Sequence, residues 1–239
     1  MRVRLHCPGC LNNRETWPIQ AAMADLDETG VYDLTCPSNH RTAFCLQNFK
    51  FELLFDLGLQ AIDDGYYREA VSSFASALER FHEFYVEAAL LGAGTNRDVY
   101  DVVWKAVRNQ SERQLGAFLF LYAREERSAP PILSSSDTEF RNGVVHKGKF
   151  PQREETIAFG RKVQDIIRPT LRRLRERLGD GLQEMRMRLL AELRRKVEPG
   201  VTVVNLYQIT FISASDELNA QFDIQERVDA LKLLRDGTA

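Results

Sequence analysis

No stretch of this 239-residue chain reaches the roughly 18 consecutive apolar residues that a membrane-crossing helix requires, so no partnership with a membrane is expected. Arg2 and Arg4 near the start are followed by no apolar run, and the expectation is a protein without a secretory signal, at a cytoplasmic address. Cysteine is sparse: four residues are too few for a disulfide scaffold, and in a reducing compartment paired thiols point to metal binding instead. Neither a phosphate-cradling glycine loop nor a Ser/His/Asp pattern is visible, which ranks nucleotide hydrolysis and acyl transfer low. The net charge of −2 excludes a globally basic nucleic-acid binder. The charge is uneven, however, because residues 161–196 hold 12 basic and 5 acidic groups. Arginine outnumbers lysine 25 to 7, and arginine is the better bidentate phosphate ligand.

The cysteines fall into two knuckles. Cys7-Pro-Gly-Cys10 places a tight turn between two sulfurs, and Cys36-Pro-Ser-Asn-His40 follows 25 residues later, with Cys45 beyond it. Tetrahedral zinc takes four Cys or His ligands. Cys7, Cys10, Cys36 and His40 form the expected set, Cys45 is the rival fourth ligand, and His6 is a weaker rival because it adjoins Cys7. No βαβ pattern surrounds Cys7-Pro-Gly-Cys10, which argues against a thioredoxin-type redox pair. Trp17, Ile19, Val31, Tyr32 and Leu34 suit short strands. Residues 1–48 are too few to bury much core, so a structural Zn²⁺ is expected to hold this zinc ribbon together.

From Phe49 the period becomes helical. Phe51, Leu54, Phe55, Leu59 and Ile62 form one apolar stripe, broken at Asp63-Asp64-Gly65. A second runs from Tyr67 through Phe74, Phe81 and Tyr85 to Leu91 and stops at Gly92-Ala93-Gly94. Two further helices are expected around Val99–Val107 and Leu115–Tyr122. Gly65, Tyr67, Ala70 and Ala77 would suit half of a tetratricopeptide unit, but no second copy occurs, so a bundle is the better reading. After a loop at Pro130-Pro131, Ser136 or Asp137 is the expected N-cap of another helix.

That helix carries Arg141-Asn142-Gly143-Val144-Val145-His146. Arg141 and His146 lie about one and a half turns apart and share no strict face; Gly143 and the stop at Lys147-Gly148 would let the turn bend to bring them together. With 25 Arg and 4 His, chance supplies about 0.4 pairs at this spacing, and requiring Asn directly after the Arg cuts that roughly twentyfold. Arg-Asn-x-x-x-His at the head of a long helix, behind a helical hairpin, resembles the HEPN superfamily of ribonucleases over roughly residues 50–178. The following Val145-His146-Lys147-Gly148-Lys149-Phe150-Pro151 is similar to bacterial members of defence and toxin systems.

The resemblance implies metal-independent cleavage of RNA by attack of a ribose 2′-OH, leaving 2′,3′-cyclic phosphate ends. In that scheme His146 is the general acid or base, Arg141 neutralises the scissile phosphate, and Asn142 orients one of them by hydrogen bonding. It also implies an acidic helper from the second helix, for which Glu79 and Glu83 are the candidates. A homodimer with the site at its two-fold axis is implied too, as is a toxin or phage-defence role with an antitoxin or defence-system partner. The other reading is a non-catalytic HEPN-like adaptor that binds RNA or protein.

One long helix from Arg153 to Leu178 should follow, with Pro169 inside it to kink the helix or end its first half. Its arginines could track an RNA backbone, or could make a solvated face paired to Glu176, Glu184 and Glu192. Beyond Pro199-Gly200, residues 201–206 and 208–212 read as strands and Ile224, Val228, Leu231 and Leu234 as an amphipathic helix. The expected architecture is thus mainly α: a β-rich zinc ribbon at 1–48, a HEPN-like helical bundle at 49–178, and an Arg-rich helix with a small C-terminal α/β appendage at 179–239.

Overall fold

The computed structural model describes residues 1–11, 21–215 and 221–236; Trp17 and Ile19, expected on strands, lie outside them. The described chain is mainly helical with two small sheets and divides into two compact units.

The first unit comprises Met1–Asn48 and Met185–Ile209. Strand β1 (Arg2–His6) alternates, with Val3 and Leu5 buried and Arg2, Arg4 and His6 exposed, and pairs antiparallel with β2 (Ala21–Asp25). A single helical turn, α1 (Pro8–Leu11), follows β1. In the second sheet β4 (Arg41–Leu46) is central, antiparallel to β3 (Val31–Thr35) on one side. Its other neighbour is β5 (Thr202–Leu206), which runs parallel to it from Thr42↔Thr202 to Leu46↔Leu206. Thr42 to Leu46 are all buried, as suits a strand covered on both faces and paired on both edges.

The second unit comprises Phe49–Glu184 and Thr210–Ala239. Helices α2 (Lys50–Asp63) and α3 (Tyr67–Gly92) form its central hairpin, turned at Gly65 with φ 81°. Their aromatic rings interlock: Phe51 lies 4.8 Å from Phe84 and 5.3 Å from Phe81 between centroids, and Phe55 lies 4.9 Å from Phe74. Offset and edge contacts of this kind add to the burial of the rings. Helices α4 (Arg97–Val107), α5 (Ser111–Glu126) and α6 (Ser135–Lys147) follow.

Helix α7 (Arg153–Arg195) keeps helical backbone angles through Pro169, so it does not end there. Pro169 is exposed, which leaves the freed carbonyl four residues earlier open to water. The break falls instead at Leu178, with φ −128° and ψ 33°, just before Gly179-Asp180-Gly181.

Residues 179–239 are not a separate appendage. Strand β5 completes the sheet of the first unit, while α8 (Ile224–Asp236) packs on α2 in the second, burying Ile224 and Val228. The strand expected at 208–212 does not form either. There backbone N–H groups go to side chains rather than to a neighbouring strand: Gln208 donates to the Asn48 amide oxygen at 2.7 Å and Phe211 to the buried Asp56 at 2.8 Å, and just beyond the segment Ala214 donates to the buried Glu52 at 2.6 Å. Phe211 and Ile212 are buried in an irregular segment that these acids hold.

Candidate functional site

Both knuckles are built by local backbone bonds. The Leu11 N–H closes the first turn onto the Cys7 carbonyl at 3.0 Å. In the second, the Asn39 N–H donates to the Cys36 carbonyl at 2.8 Å and the Cys36 N–H to the His40 carbonyl at 3.1 Å, with Asn39 in the left-handed region that asparagine tolerates. Gly9 is needed between the first pair, because a Cβ there would lie 2.8 Å from His40 Nδ1.

Three thiols and one imidazole converge. His40 Nδ1 is 3.6 Å from Cys7 Sγ, 3.6 Å from Cys10 Sγ and 3.5 Å from Cys36 Sγ, and the sulfurs of Cys10 and Cys36 are 3.6 Å apart. A tetrahedron with Zn–S bonds of about 2.3 Å and Zn–N bonds of about 2.05 Å has S···S edges of about 3.8 Å and S···N edges of about 3.6 Å. These four separations are close to the edge lengths of such a tetrahedron, and all four ligand atoms lie within 4.8 Å of one another. Burial raises the Cys36 thiol, but the His40 N–H and the thiols of Cys10 and Cys7 outweigh it and bring its pKa to about 6. Cys45 is elsewhere, buried in β4 opposite Val31, and His6 ends β1 outside the cluster. The cluster could hold a metal ion.

In the second unit a cleft of about 580 Å³ opens between α3, α5, α6 and the loop before α6. Helix α6 begins earlier than expected: Ser134, not Ser136 or Asp137, is the cap. Its hydroxyl accepts from the Asp137 N–H at 3.1 Å while Asp137 accepts from the Ser134 N–H at 3.2 Å. The helix stays regular to Lys147 and ends on Gly148 with φ 70°. Arg141, Asn142 and His146 all line the cleft without the expected bend. At 100° per residue, Arg141 and His146 mark the two edges of an arc of about 140°, with Thr138 and Asn142 between them. The arc as a whole faces the cleft, and Val144 on the far side is fully buried and anchors the helix.

Among the described residues nothing bonds the Arg141 guanidinium, and its Nε is buried without a partner. His146 is exposed. Glu79 lines the cleft from α3, and Glu112 from α5. Glu83 does not line it. Its carboxylate accepts from Trp104 Nε1 at 2.9 Å and pairs with Arg80 at 2.5 Å, joining α3 to α4 as a structural acid. A shallower groove adjoins the cleft along Leu133, Thr138 and Asn142 and extends to Lys147.

His82, which no sequence motif singles out, also lines the cleft. A signal was available: a histidine in the apolar stripe of α3, three residues after Glu79 and hence near its face.

Several arginines of α7 have tasks within the fold. Arg161 grips Asp223 with two bonds, at 2.8 and 2.9 Å, and Arg168 donates to the Phe211 and Phe222 carbonyls while lying 4.2 Å over the Phe211 ring. Arg175 donates to the Ser213 carbonyl, Arg173 to the Tyr122 hydroxyl, and Arg177 to Glu126. Much of the basic run thus ties α5 and the chain's last segment to α7.

No protein-family model, no curated protein and no solved structure matches this chain.

Proposed function

We propose that the chain is a HEPN-type, metal-independent endoribonuclease acting as a toxin or phage-defence effector, with a structural zinc ribbon in its first unit. The observation that carries the reading is the unpaired Arg141 guanidinium, its Nε buried and partnerless, on the same cleft wall as Asn142 and His146. A partly buried cation without an acid is costly unless an anion joins it, and a phosphodiester is an anion whose geometry suits the guanidinium fork.

With the phosphate on Arg141, His146 takes the proton from the ribose 2′-OH or returns one to the departing 5′-oxygen. The 2′-oxygen bonds to phosphorus, the P–O5′ bond breaks, and Arg141 neutralises the charge that gathers on the phosphoryl oxygens. Asn142, between the two on the arc, orients His146 or the phosphate. Glu79, across the cleft, is the acidic helper. A single His146 serves one proton transfer well, and a homodimer with two clefts at its axis would supply the other. Cys7, Cys10, Cys36 and His40 would hold Zn²⁺; four protein ligands leave no open position, so the metal stabilises the ribbon and takes no part in the reaction.

The test is cleavage of total RNA in brief EDTA, beside a His146→Ala variant of equal melting temperature, with the fragment ends identified. Cyclic-phosphate ends that persist in EDTA and vanish in the variant support the reading. Wild type and variant equally inert on every RNA offered would refute it in favour of an adaptor.

A further inference from the structure

The walls of the cleft differ in character. Helix α6 presents Arg141, Asn142 and His146, whereas α3 and α5 contribute Ala75, Leu78 and Leu115 beside His82, with Glu79, Ser111 and Glu112 on the same two helices. His82 is 6% exposed, and its Nε2 is buried without a hydrogen-bond partner among the described residues. Its ring stacks on Phe118, with centroids 4.5 Å apart and planes 26° from parallel. Burial lowers the His82 pKa to about 4, so the imidazole is neutral near pH 7. A neutral ring neither binds phosphate as a cation nor protonates a leaving group. What remains is a neutral hydrogen-bonding group that is stacked on Phe118 and lines the cleft together with Leu78 and Leu115.

A buried polar atom without a partner destabilises the free protein and rewards the ligand that satisfies it. Sites built this way reject analogues lacking the matching group far more strongly than apolar pockets reject a change of shape. A ligand that sets a phosphate on Arg141 and a flat heteroaromatic ring against Leu78 and Leu115 is a nucleotide, and about 580 Å³ accommodates one.

We propose that the His82 side of the cleft is a base-recognition pocket, in which a ring nitrogen of His82 reads one edge of the nucleobase next to the phosphate held by Arg141. The ligand class rests on the ribonuclease reading. A single such atom sorts bases by whether the exocyclic group facing it is an amine or a carbonyl, so the cleavage site carries a base preference set within the cleft.

The experiment is calorimetric titration of the full chain with each of the four ribonucleoside 3′-monophosphates and with inorganic phosphate. Wild type is expected to bind nucleotides of one exocyclic class at least about tenfold tighter than the others. His82→Phe keeps a ring against Phe118 and removes an unpaired polar atom, so it should fold. It is expected to bring the four nucleotides within about twofold of one another while phosphate binding persists. His82→Gln, which restores a hydrogen-bonding group, is expected to recover a ranking. Four equal affinities in wild type, no nucleotide binding, or an unchanged ranking in folded His82→Phe would each overturn the pocket. Nucleotides sorted by base with no RNA cleaved would sink the ribonuclease reading and leave the pocket standing. Cleavage without base preference would do the reverse.

Discussion

Gly160 of α7 stands so close to Phe74 of α3 that a Cβ at position 160 would lie 2.8 Å from the ring's Cε2, and 2.5 Å from Ile224 Cδ1. On the ring's other contact, a Cβ at Gly58 of α2 would lie 2.5 Å from Phe74 Cε1. Two glycines therefore let α2 and α7 close on one fully buried phenylalanine.

Helix propensity alone would favour alanine at a helical glycine by about 1 kcal/mol. At Gly160 the clash is with a ring and a methyl that are both buried, and overpacking costs about 1–3 kcal/mol or more. Gly160→Ala is therefore expected to destabilise the second unit. Gly116 in the interior of α5 is the control, since a methyl group added there would meet nothing within 4 Å and Gly116→Ala should stabilise. Urea titration of both variants checks the opposite signs; two stabilising substitutions would mean that the helices can part around Phe74.

A buried acid makes stability depend on pH. Burial raises Asp56 from 3.8 to about 6, against the opposing effects of the Phe211 N–H and of Arg227. The folded state thus favours the protonated form. That contribution is complete below about pH 4 and is lost as pH rises through 6. Asp56→Asn keeps an oxygen to accept from Phe211 and stays neutral. Relative to wild type it should gain about 1–3 kcal/mol between pH 4 and pH 8, the order of magnitude of a shift of about two units. Denaturation at those two pH values reads the difference. A variant that loses ground on going to pH 8 would show that the charge opposite Arg227 matters more than its burial.

Much of this was legible in the sequence, and the misses have a common cause. The cluster of three cysteines and His40 and the stripes of α2 and α3 follow from spacing, because a knuckle and a 3.6-residue period are local. The strand expected at 208–212 failed because Asn48 and Asp56, 160 and 155 residues away in the chain, claim the Gln208 and Phe211 N–H groups. Glu79 and Glu83 are equivalent by spacing, and only Trp104 on α4 separates them. His82 had only a weak local signal, its place in the apolar stripe of α3, since its meaning comes from Phe118 and from the cleft rather than from its neighbours in the chain.

The cluster of Cys7, Cys10, Cys36 and His40 yields a separation between ligand and bystander. Metal analysis of the purified chain should find about one zinc ion per chain, as expected of one tetrahedral site. Cys36→Ser and His40→Ala should lower that ratio and unfold the ribbon. Cys45→Ser should leave it unchanged, because Cys45 sits in β4 away from the four converging atoms. Gly9→Ala is expected to weaken retention against a chelator, its methyl group pressing on the His40 ring. An undiminished ratio in Cys36→Ser would remove Cys36 from the ligand set.

The two glutamates of α3 give the sharpest test of the cleft. Glu83→Gln trades a carboxylate that holds Trp104 and Arg80 for an amide, so it should lower stability by about 1–3 kcal/mol. Its cleavage rate under folding conditions should stay near that of wild type, because Glu83 does not line the cleft. Glu79→Gln should do the opposite, with an ordinary melting temperature and a slower rate, since Glu79 faces Arg141 and His146 across the cleft. Arg141→Lys keeps a charge but loses the planar fork, and removing one such contact to a developing oxyanion typically costs about 10²–10³ in rate. Single-turnover cleavage and thermal melting on the same samples separate the two effects. If Glu83→Gln slows cleavage while Glu79→Gln leaves it untouched, the helper has been placed on the wrong turn of α3, and the reacting phosphate must lie nearer to α4 than the cleft of Arg141 allows.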